Sequence, residues 1–253
     1  MNLPRIGLIP AAGQALRLGP ISSSKEILPV AGPDSMEPAC SSLLRQFRTA
    51  GADRACIVIR PGKWDIPEAL GNGNRYGITI AYSVIPSSRG VPYTLDAAYE
   101  WVKDAEVLAG FPDILIKPEN ALANLSEKRE STGADITLGL FPSSHPDKVD
   151  MVEYDEKGNV TTIIIKDPDC SLHECWLLAS WGPLFTDFLH DWITRQSNTE
   201  HVEPYLGDVF RDALSTGIKI NAHRFSCGEY LDIGTPDDLK KAREKISQAV
   251  DNQ

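Results

Sequence analysis

The chain has 253 residues, a formal net charge of −10 and 42% hydrophobic residues, values that are ordinary for a globular protein with a sizeable core. The acidic excess argues against a nucleic-acid-binding surface, which needs a basic stripe. No run approaches the roughly 20 apolar residues that span a bilayer, and the first apolar run is too short for a signal peptide, so the expected location is cytoplasmic. The cysteines argue against a disulfide framework because they are odd in number and scattered: Cys40, Cys56, Cys170, Cys175 and Cys227.

Strands and helices are predicted to alternate along the first half of the chain. Residues 6–9 form an apolar run typical of a buried strand, residues 38–50 have helical apolar spacing, and residues 55–60 form a second buried strand. Such a βαβ unit requires parallel strands. The same patterns predict helices at 63–70, 94–103 and 118–131, and strands at 78–84, 107–109 and 135–140.

The pattern changes after Pro142. Residues 151–154 and 160–166 are β-like and flank a loop whose glycine, Gly158, suits a hairpin. The aromatic residues of segment 176–181 fit a core better than a substrate platform. The remaining predictions are strands at 178–181 and 218–225 and helices at 184–192 and 208–214.

The final helix is predicted to begin after Thr235, a good N-cap, with Pro236 in its first position. No internal repeat or long linker interrupts the chain. We therefore expect one α/β domain over residues 1–253, with a mixed, mostly parallel central sheet, helices on both faces and a Rossmann-like topology. Residues from about 1–141 are expected to bind nucleotide, and residues from about 142–253 are expected to bind the second substrate.

The segment after the first strand has the pattern of a phosphate-binding loop. Pro10 is followed by small residues, and Arg17 and Lys25 are the only cations between Arg5 and Arg45. A short strand that leads into a small-residue loop brings backbone N–H groups and positive charge against a phosphate. The loop matches neither the GxxxxGK[ST] pattern nor the GxGxxG pattern. We interpret it as a loop for a nucleoside triphosphate.

Five short motifs occur in a fixed order along the chain. Residues 12–18 read AGQALRL, residues 25–30 read KEILPV, and residues 110–113 read GFPD; IKDP follows at 165–168 and YLDIGTP at 230–236. This order resembles that of the sugar nucleotidyltransferases, the nucleotide-sugar pyrophosphorylases, whose motifs are G-x-G-T-R, P-K near L-P-V, G-D, E-K-P and W-L-D-T-G-T-P. The first two motifs are most similar to those of the bacterial glucose-1-phosphate uridylyl- and thymidylyltransferases.

The resemblance implies a reaction and the residues that perform it. A sugar 1-phosphate oxygen attacks the α-phosphorus of a nucleoside triphosphate and pyrophosphate leaves, with Mg²⁺ as cofactor; alignment and charge neutralisation drive such a transfer. The implied roles are catalysis for Arg17 and Lys25, nucleotide binding for Ala11, Ala12, Gly13 and Gly90, sugar-phosphate binding for Lys166 and Asp150, and Mg²⁺ binding for Asp113 and Asp232.

The chain departs from the family pattern on both sides of the implied site. Ala15 replaces the second glycine, Leu16 stands where threonine is usual, the step from Pro20 to Lys25 is two residues short, and Ile85 replaces a glutamine that reads the base. The base therefore stays open.

On the sugar side, Asp150 stands where glycine is common, and the glutamate that precedes the family's lysine is missing before Lys166. A carboxylate at Asp150 repels a second phosphate but suits hydroxyls or an amino group. We expect a sugar other than the usual glucose.

Each candidate residue also has a purely structural interpretation. Arg17 and Lys25 are then solvated loop cations, and Lys166 is the exposed end of a strand. Asp113 then caps a turn, and Asp232 stabilises the start of the following helix.

The leading functional hypothesis is a Mg²⁺-dependent sugar-1-phosphate nucleotidyltransferase. Its expected partners are a nucleoside triphosphate and a sugar 1-phosphate, with neither nucleic acid nor membrane; the sequence leaves the oligomeric state open. A second hypothesis is a non-catalytic nucleotide- or sugar-binding relative that acts in a complex. A third is nucleotidyl transfer to a non-sugar phosphate, against which the LDIGTP segment at 231–236 argues.

Overall fold

The computed structural model describes residues 3–14, 23–30, 37–196 and 203–251, with side chains up to residue 245. The strands are β1 (Arg5–Pro10), β2 (Arg54–Ile59), β3 (Thr79–Val84), β4 (Glu106–Gly110), β5 (Ile114–Lys117), β6 (Ile136–Pro142), β7 (Asp150–Tyr154), β8 (Val160–Ile165), β9 (Glu174–Trp181), β10 (Ile220–Arg224) and β11 (Glu229–Asp232). The helices are α1 (Ser41–Thr49), α2 (Asp65–Leu70), α3 (Val91–Asp96), α4 (Tyr99–Val102), α5 (Ala121–Thr132), α6 (Pro183–Gln196), α7 (Leu206–Ser215) and α8 (Pro236–Asp251), with 3₁₀ turns at Lys25–Ile27 and Asn74–Tyr76.

Nine of the described strands form one mixed sheet. Its main order is β10-β6-β9-β4-β1-β2-β3, and the β7–β8 hairpin joins it at β9. Strand β9 runs antiparallel to β4 and β6, whereas the other neighbours in this order are parallel. The predicted mixed, mostly parallel sheet is confirmed. Strands β5 and β11 form a separate antiparallel ribbon.

Helices cover both faces of the sheet, as predicted. Ile6 and Leu8 of β1 belong to the core cluster that also contains buried residues of α3, α6 and α7. Ile9 packs in a second cluster with α1 and α5. The alternation of side chains along β1 produces these two layers, because successive residues of a strand point to opposite faces. No helix among the described residues has the length and apolarity to cross a membrane.

The structure differs from the predicted elements at two places near the site. The predicted helix at 94–103 is two short helices, α3 and α4, and α3 begins earlier, directly after Gly90. Strands β5 and β11 were not predicted, because each has only four residues and the two pair across a long stretch of the chain. The second difference arises from pairing between distant segments, which periodicity does not reveal.

Candidate active site

Five of the predicted site residues meet at the carboxyl edge of the parallel strands. Strands β1, β2, β3 and β4 point the same way, so their carboxyl ends open on one side of the sheet, where α/β proteins bind ligands. A cleft of about 240 Å³ lies there. Five predicted site residues line it: Lys25, Asp113, Asp150, Lys166 and Asp232.

The β5–β11 ribbon brings the two predicted metal-binding aspartates together. Asp113 precedes β5, Asp232 ends β11, and Ile114 lies directly opposite Asp232 in the register. The N–H of Ile233 donates to the carbonyl oxygen of Asp113 over 3.0 Å. Asp232 Oδ1 in turn accepts the N–H of Gly234 over 2.6 Å. Backbone pairing therefore holds the two aspartates side by side.

Lys25 reaches into this acidic pair from the first loop. Its Nζ lies 2.5 Å from Asp113 Oδ2, with both side chains largely buried. Burial alone would lower the pKa of Lys25, but the charges of Asp113, Glu26 and Asp232 raise it. Lys25 is therefore a fixed positive charge at the floor of the cleft.

The segment that carries Lys25 is held by two residues at the start of α2. Lys63 Nζ lies 2.6 Å from Glu26 Oε1, and this ion pair is almost wholly buried. Asp65 accepts both the N–H of Ser24, over 2.6 Å, and its hydroxyl, over 2.8 Å. Lys25 is thus anchored through both of its chain neighbours, so its backbone position is fixed independently of any ligand.

Lys166 lies across the cleft in an unusual conformation. Its φ is +42°, a left-handed value that is rare for a non-glycine residue and that clusters at functional sites. Its Nζ lies 3.7 Å from the ring centroid of Tyr205, within cation–π range. The strained backbone and the aromatic contact together aim this ammonium group.

Asp150 is a buried carboxylate on the same side of the cleft. The Nε1–H of Trp176 donates to its Oδ2 over 3.3 Å, and its Oδ1 is buried without a hydrogen-bond partner. Burial raises the pKa of Asp150 to about 6, against the lowering effect of the Lys166 charge and the Trp176 bond.

The predicted nucleotide-binding residues occupy the loops beside the cleft. The N–H of Ala11 donates to the carbonyl oxygen of Val58 over 2.8 Å, so this N–H belongs to the strand pairing and cannot hold a phosphate. Ala12 is buried and Gly13 is exposed with open space at its Cα. Gly90 has a φ of +123°, which favours glycine; it does not line the cleft, although Val91 does.

Three predictions of the first loop lie outside the described residues. These are the catalytic role of Arg17 and the departures at Ala15 and Leu16.

Sequence comparisons identify the family. A profile described as "nucleotidyl transferase" matches residues 6–249. The chain belongs to the nucleotidyl transferase family. It is 26% identical, over 95% of its length and 65% of the relative's, to the low-salt glycan biosynthesis nucleotidyltransferase Agl11 of Haloferax volcanii. It is 26% identical, over 97% of its length and 83% of the relative's, to a glucose-1-phosphate thymidylyltransferase of Neisseria meningitidis.

Solved structures share the fold of this chain. One is a Bacillus anthracis protein in complex with sucrose, with a TM-score of 0.83 at 17% identity over 96% of this chain and 95% of that one. Another is a UDP-glucose pyrophosphorylase complexed with UDP-glucose, with a TM-score of 0.81 at 15% identity over 98% and 100%. The predicted nucleotide-diphospho-sugar transferase fold is therefore confirmed, as is the resemblance to sugar nucleotidyltransferases.

The acidic pair fits a magnesium ion. Sugar nucleotidyltransferases generally use a divalent metal. Mg²⁺ is commonly held by one or two carboxylates together with substrate phosphates and water, a donor set that Asp113 and Asp232 match. Within the described residues, no group of three or more His, Cys, Asp or Glu side chains is arranged to hold a metal. Asp113 and Asp232 would supply two ligands, and substrate oxygens would complete the coordination.

Several residues that line the cleft were not predicted as site residues, among them Lys148, Trp176 and Tyr205. Trp176 is buried, as the core interpretation required, and it also forms a wall of the cleft. The sequence offers one indication of a role for Lys148, namely its positive charge just before β7. The sequence offers no such indication for Tyr205, because its role depends on its contact with Lys166.

Removing the buried partner of Glu26 tests the anchor of Lys25. Burial raises the pKa of Glu26 and lowers that of Lys63 despite their attraction, so each charge depends on the other. Lys63→Met should reduce the free energy of unfolding by about 3–5 kcal/mol, because it leaves a buried charge without its partner. The double variant Glu26→Met with Lys63→Met should recover most of that loss. Urea denaturation measures both, and simple additivity of the two single changes would contradict the pairing.

Asp150 should make stability depend on pH. Its folded pKa of about 6 lies above the model-compound value of 3.8, so the folded chain binds the proton more tightly and loses stability as pH rises from about 4 to 6. Asp150→Asn removes this loss, so its stability advantage should grow across that window, to at most about 3 kcal/mol. Urea denaturation at several pH values measures it. A stability advantage that does not change with pH would show that the folded pKa of Asp150 is not raised.

Proposed function

We propose that the chain is a Mg²⁺-dependent sugar-1-phosphate nucleotidyltransferase, which forms a nucleoside diphosphate sugar and pyrophosphate. The observation that carries the proposal is that four motif residues from distant parts of the chain line one cleft: Lys25, Asp113, Lys166 and Asp232. The named activities of the Neisseria and Haloferax relatives support the same reaction class.

The cleft has the charges that such a transfer requires. An oxygen of the sugar 1-phosphate attacks the α-phosphorus of the triphosphate, a new P–O bond forms, and the bond to the β-phosphate breaks as pyrophosphate leaves. Lys25 would neutralise the phosphate being transferred, and Lys166 would hold the attacking phosphate in line. When bound by Asp113 and Asp232, Mg²⁺ supplies further neutralisation of phosphate charge.

The two lysines reach the cleft from different parts of the chain. Lys25 belongs to the first loop, and Lys166 follows the β7–β8 hairpin. This placement supports the division into a nucleotide-binding part of about 1–141 and a sugar-phosphate-binding part of about 142–253. We assign the nucleotide to the side of Ala12 and Gly13, and the leaving pyrophosphate to Arg17. We also expect the activity to be cytoplasmic.

Lys25 must exchange partners during the reaction. Its ammonium group contacts Asp113 here, whereas the proposed role requires contact with a phosphate. A phosphate–metal complex offers both groups new partners, because the metal would take the Asp113 carboxylate and the phosphate would take the ammonium.

Removing the Lys25 charge tests the proposal. With Mg²⁺ present, the wild-type chain should release pyrophosphate from at least one pair of a nucleoside triphosphate and a sugar 1-phosphate. Lys25→Ala should lower kcat by about 10²-fold or more, as expected when a preorganised charge is lost. Lys103→Ala is the control, since Lys103 is an exposed lysine that contacts Glu100.

The same assay decides between the three functional hypotheses. Nucleotide binding by calorimetry without turnover of any pair would favour the non-catalytic relative. Turnover only with a non-sugar phosphate would favour the third hypothesis. Unchanged turnover in Lys25→Ala would remove the proposed role of this lysine.

A further inference from the structure

Asp150 and Ile165 lie directly opposite each other on the hairpin beside the cleft. They are cross-strand partners in the antiparallel pairing of β7 and β8. Directly opposed residues in such a pair have side chains on the same face and Cβ atoms about 5 Å apart. A Cβ placed on Gly207 would lie 2.4 Å from Asp150 Oδ2 and 2.5 Å from Ile165 Cδ1. Both side chains therefore point to the same place, the first turn of α7.

This geometry relates two departures from the family pattern. Sugar nucleotidyltransferases commonly have glycine at the position of Asp150 and glutamate at that of Ile165. Here the carboxylate is on β7 and an isoleucine is on β8, so the carboxylate has moved to the opposite strand and keeps the same face of the hairpin.

The Asp150 carboxylate has capacity for a ligand. The side chain lines the cleft and is 7% exposed, yet Oδ1 has no hydrogen-bond partner. Buried carboxylate oxygens normally have partners, because an unpaired one is costly. No hydrogen-bond donor among the described residues reaches Oδ1, although the charge of Lys166 acts on the carboxylate and favours its ionised form.

We propose that Asp150 reads the sugar ring in this chain, from the same face of the hairpin on which the family pattern places a glutamate. The inference rests on the proposed function and names its acceptor substrate more closely. That substrate is a sugar 1-phosphate that presents a hydrogen-bond donor to Asp150, either a hydroxyl or an ammonium group. Lys166 holds the phosphate, and Asp150 selects the ring.

A purely structural role for Asp150 predicts a different outcome. The N–H of Gly207 favours the ionised carboxylate, so Asp150 also stabilises the first turn of α7. A residue with this role alone would affect stability and leave the affinity for sugar phosphates unchanged.

The first test separates sugar recognition from nucleotide recognition. Asp150→Asn keeps the shape of the side chain and should raise KM for the accepted sugar 1-phosphate at least 10-fold, while KM for the triphosphate stays within twofold. Glu153→Gln is the matched control, since Glu153 is an exposed carboxylate on the same strand. A sugar KM that stays within twofold of wild type in Asp150→Asn would overturn the inference.

The second test moves the carboxylate back across the hairpin. Asp150→Gly should lose sugar affinity, and Asp150→Gly combined with Ile165→Glu should regain at least 10-fold of it. A double variant as weak as Asp150→Gly would contradict the exchange of positions. Thermal denaturation of each variant shows whether it is folded at the assay temperature, so that affinities are compared between folded proteins.

Substrate analogues distinguish the two donors. If Asp150 binds an ammonium group, wild type should prefer an amino sugar 1-phosphate over its hydroxyl counterpart, and Asp150→Asn should lose that preference. If it binds a hydroxyl, the deoxy analogue at that carbon should be equally poor for wild type and Asp150→Asn. Wild-type and variant proteins that rank all analogues alike would overturn the inference.

Calorimetric binding of sugar 1-phosphates keeps this inference separate from the proposed function. Binding of sugar 1-phosphates that depends on Asp150 but leads to no turnover would contradict the proposed reaction and leave the recognition role intact. Turnover that does not depend on Asp150 would contradict only the recognition role of Asp150. Absence of both binding and turnover would overturn both.

Discussion

The ion pair between Lys25 and Asp113 is the interaction on which the site depends. It joins the loop after β1 to the turn after β4, and the neighbouring carboxylate of Asp232 arrives through the β5–β11 ribbon. Charges this close are strongly coupled when they are largely removed from water. The arrangement places one cation and two anions at the point where phosphates and a metal ion would bind.

The site is built at a cost to stability. Burial disfavours the charged forms of both Glu26 and Lys63, and it disfavours the charged form of Asp150 on the opposite side of the cleft. Apolar side chains of similar size would avoid these penalties. Perturbed groups in a cleft are typical of functional sites, where charge is positioned for a ligand. The pair of Glu26 and Lys63 holds Lys25 in place, and Asp150 faces the proposed sugar.

Much of the fold could be predicted from local sequence patterns. The apolar run of β1, the βαβ unit and the hairpin around Gly158 were all visible, because strand burial and turn chemistry act over short distances. The motif order also predicted which residues line the cleft at Lys25, Asp113 and Asp232, although their roles stay predictions.

The remaining features depend on contacts between distant segments. Strand β5 is defined by its pairing with β11, and the anchor of Lys25 depends on Lys63 and Asp65, which belong to no motif. Tyr205 is placed against Lys166 by the packing of α7 on β8. Polar residues whose role depends on a long-range partner leave no periodic signal in a sequence.

The central claim is that one cleft holds both substrates between the acidic pair and the β7–β8 hairpin. A crystal structure of the chain with Mg²⁺ and a nucleoside diphosphate sugar that it produces would test this most directly. The account predicts the diphosphate beside Lys25, a metal on Asp113 and Asp232, and the sugar ring against Lys166 and Asp150. A nucleotide sugar bound outside this cleft, with Lys25 still paired to Asp113, would contradict it.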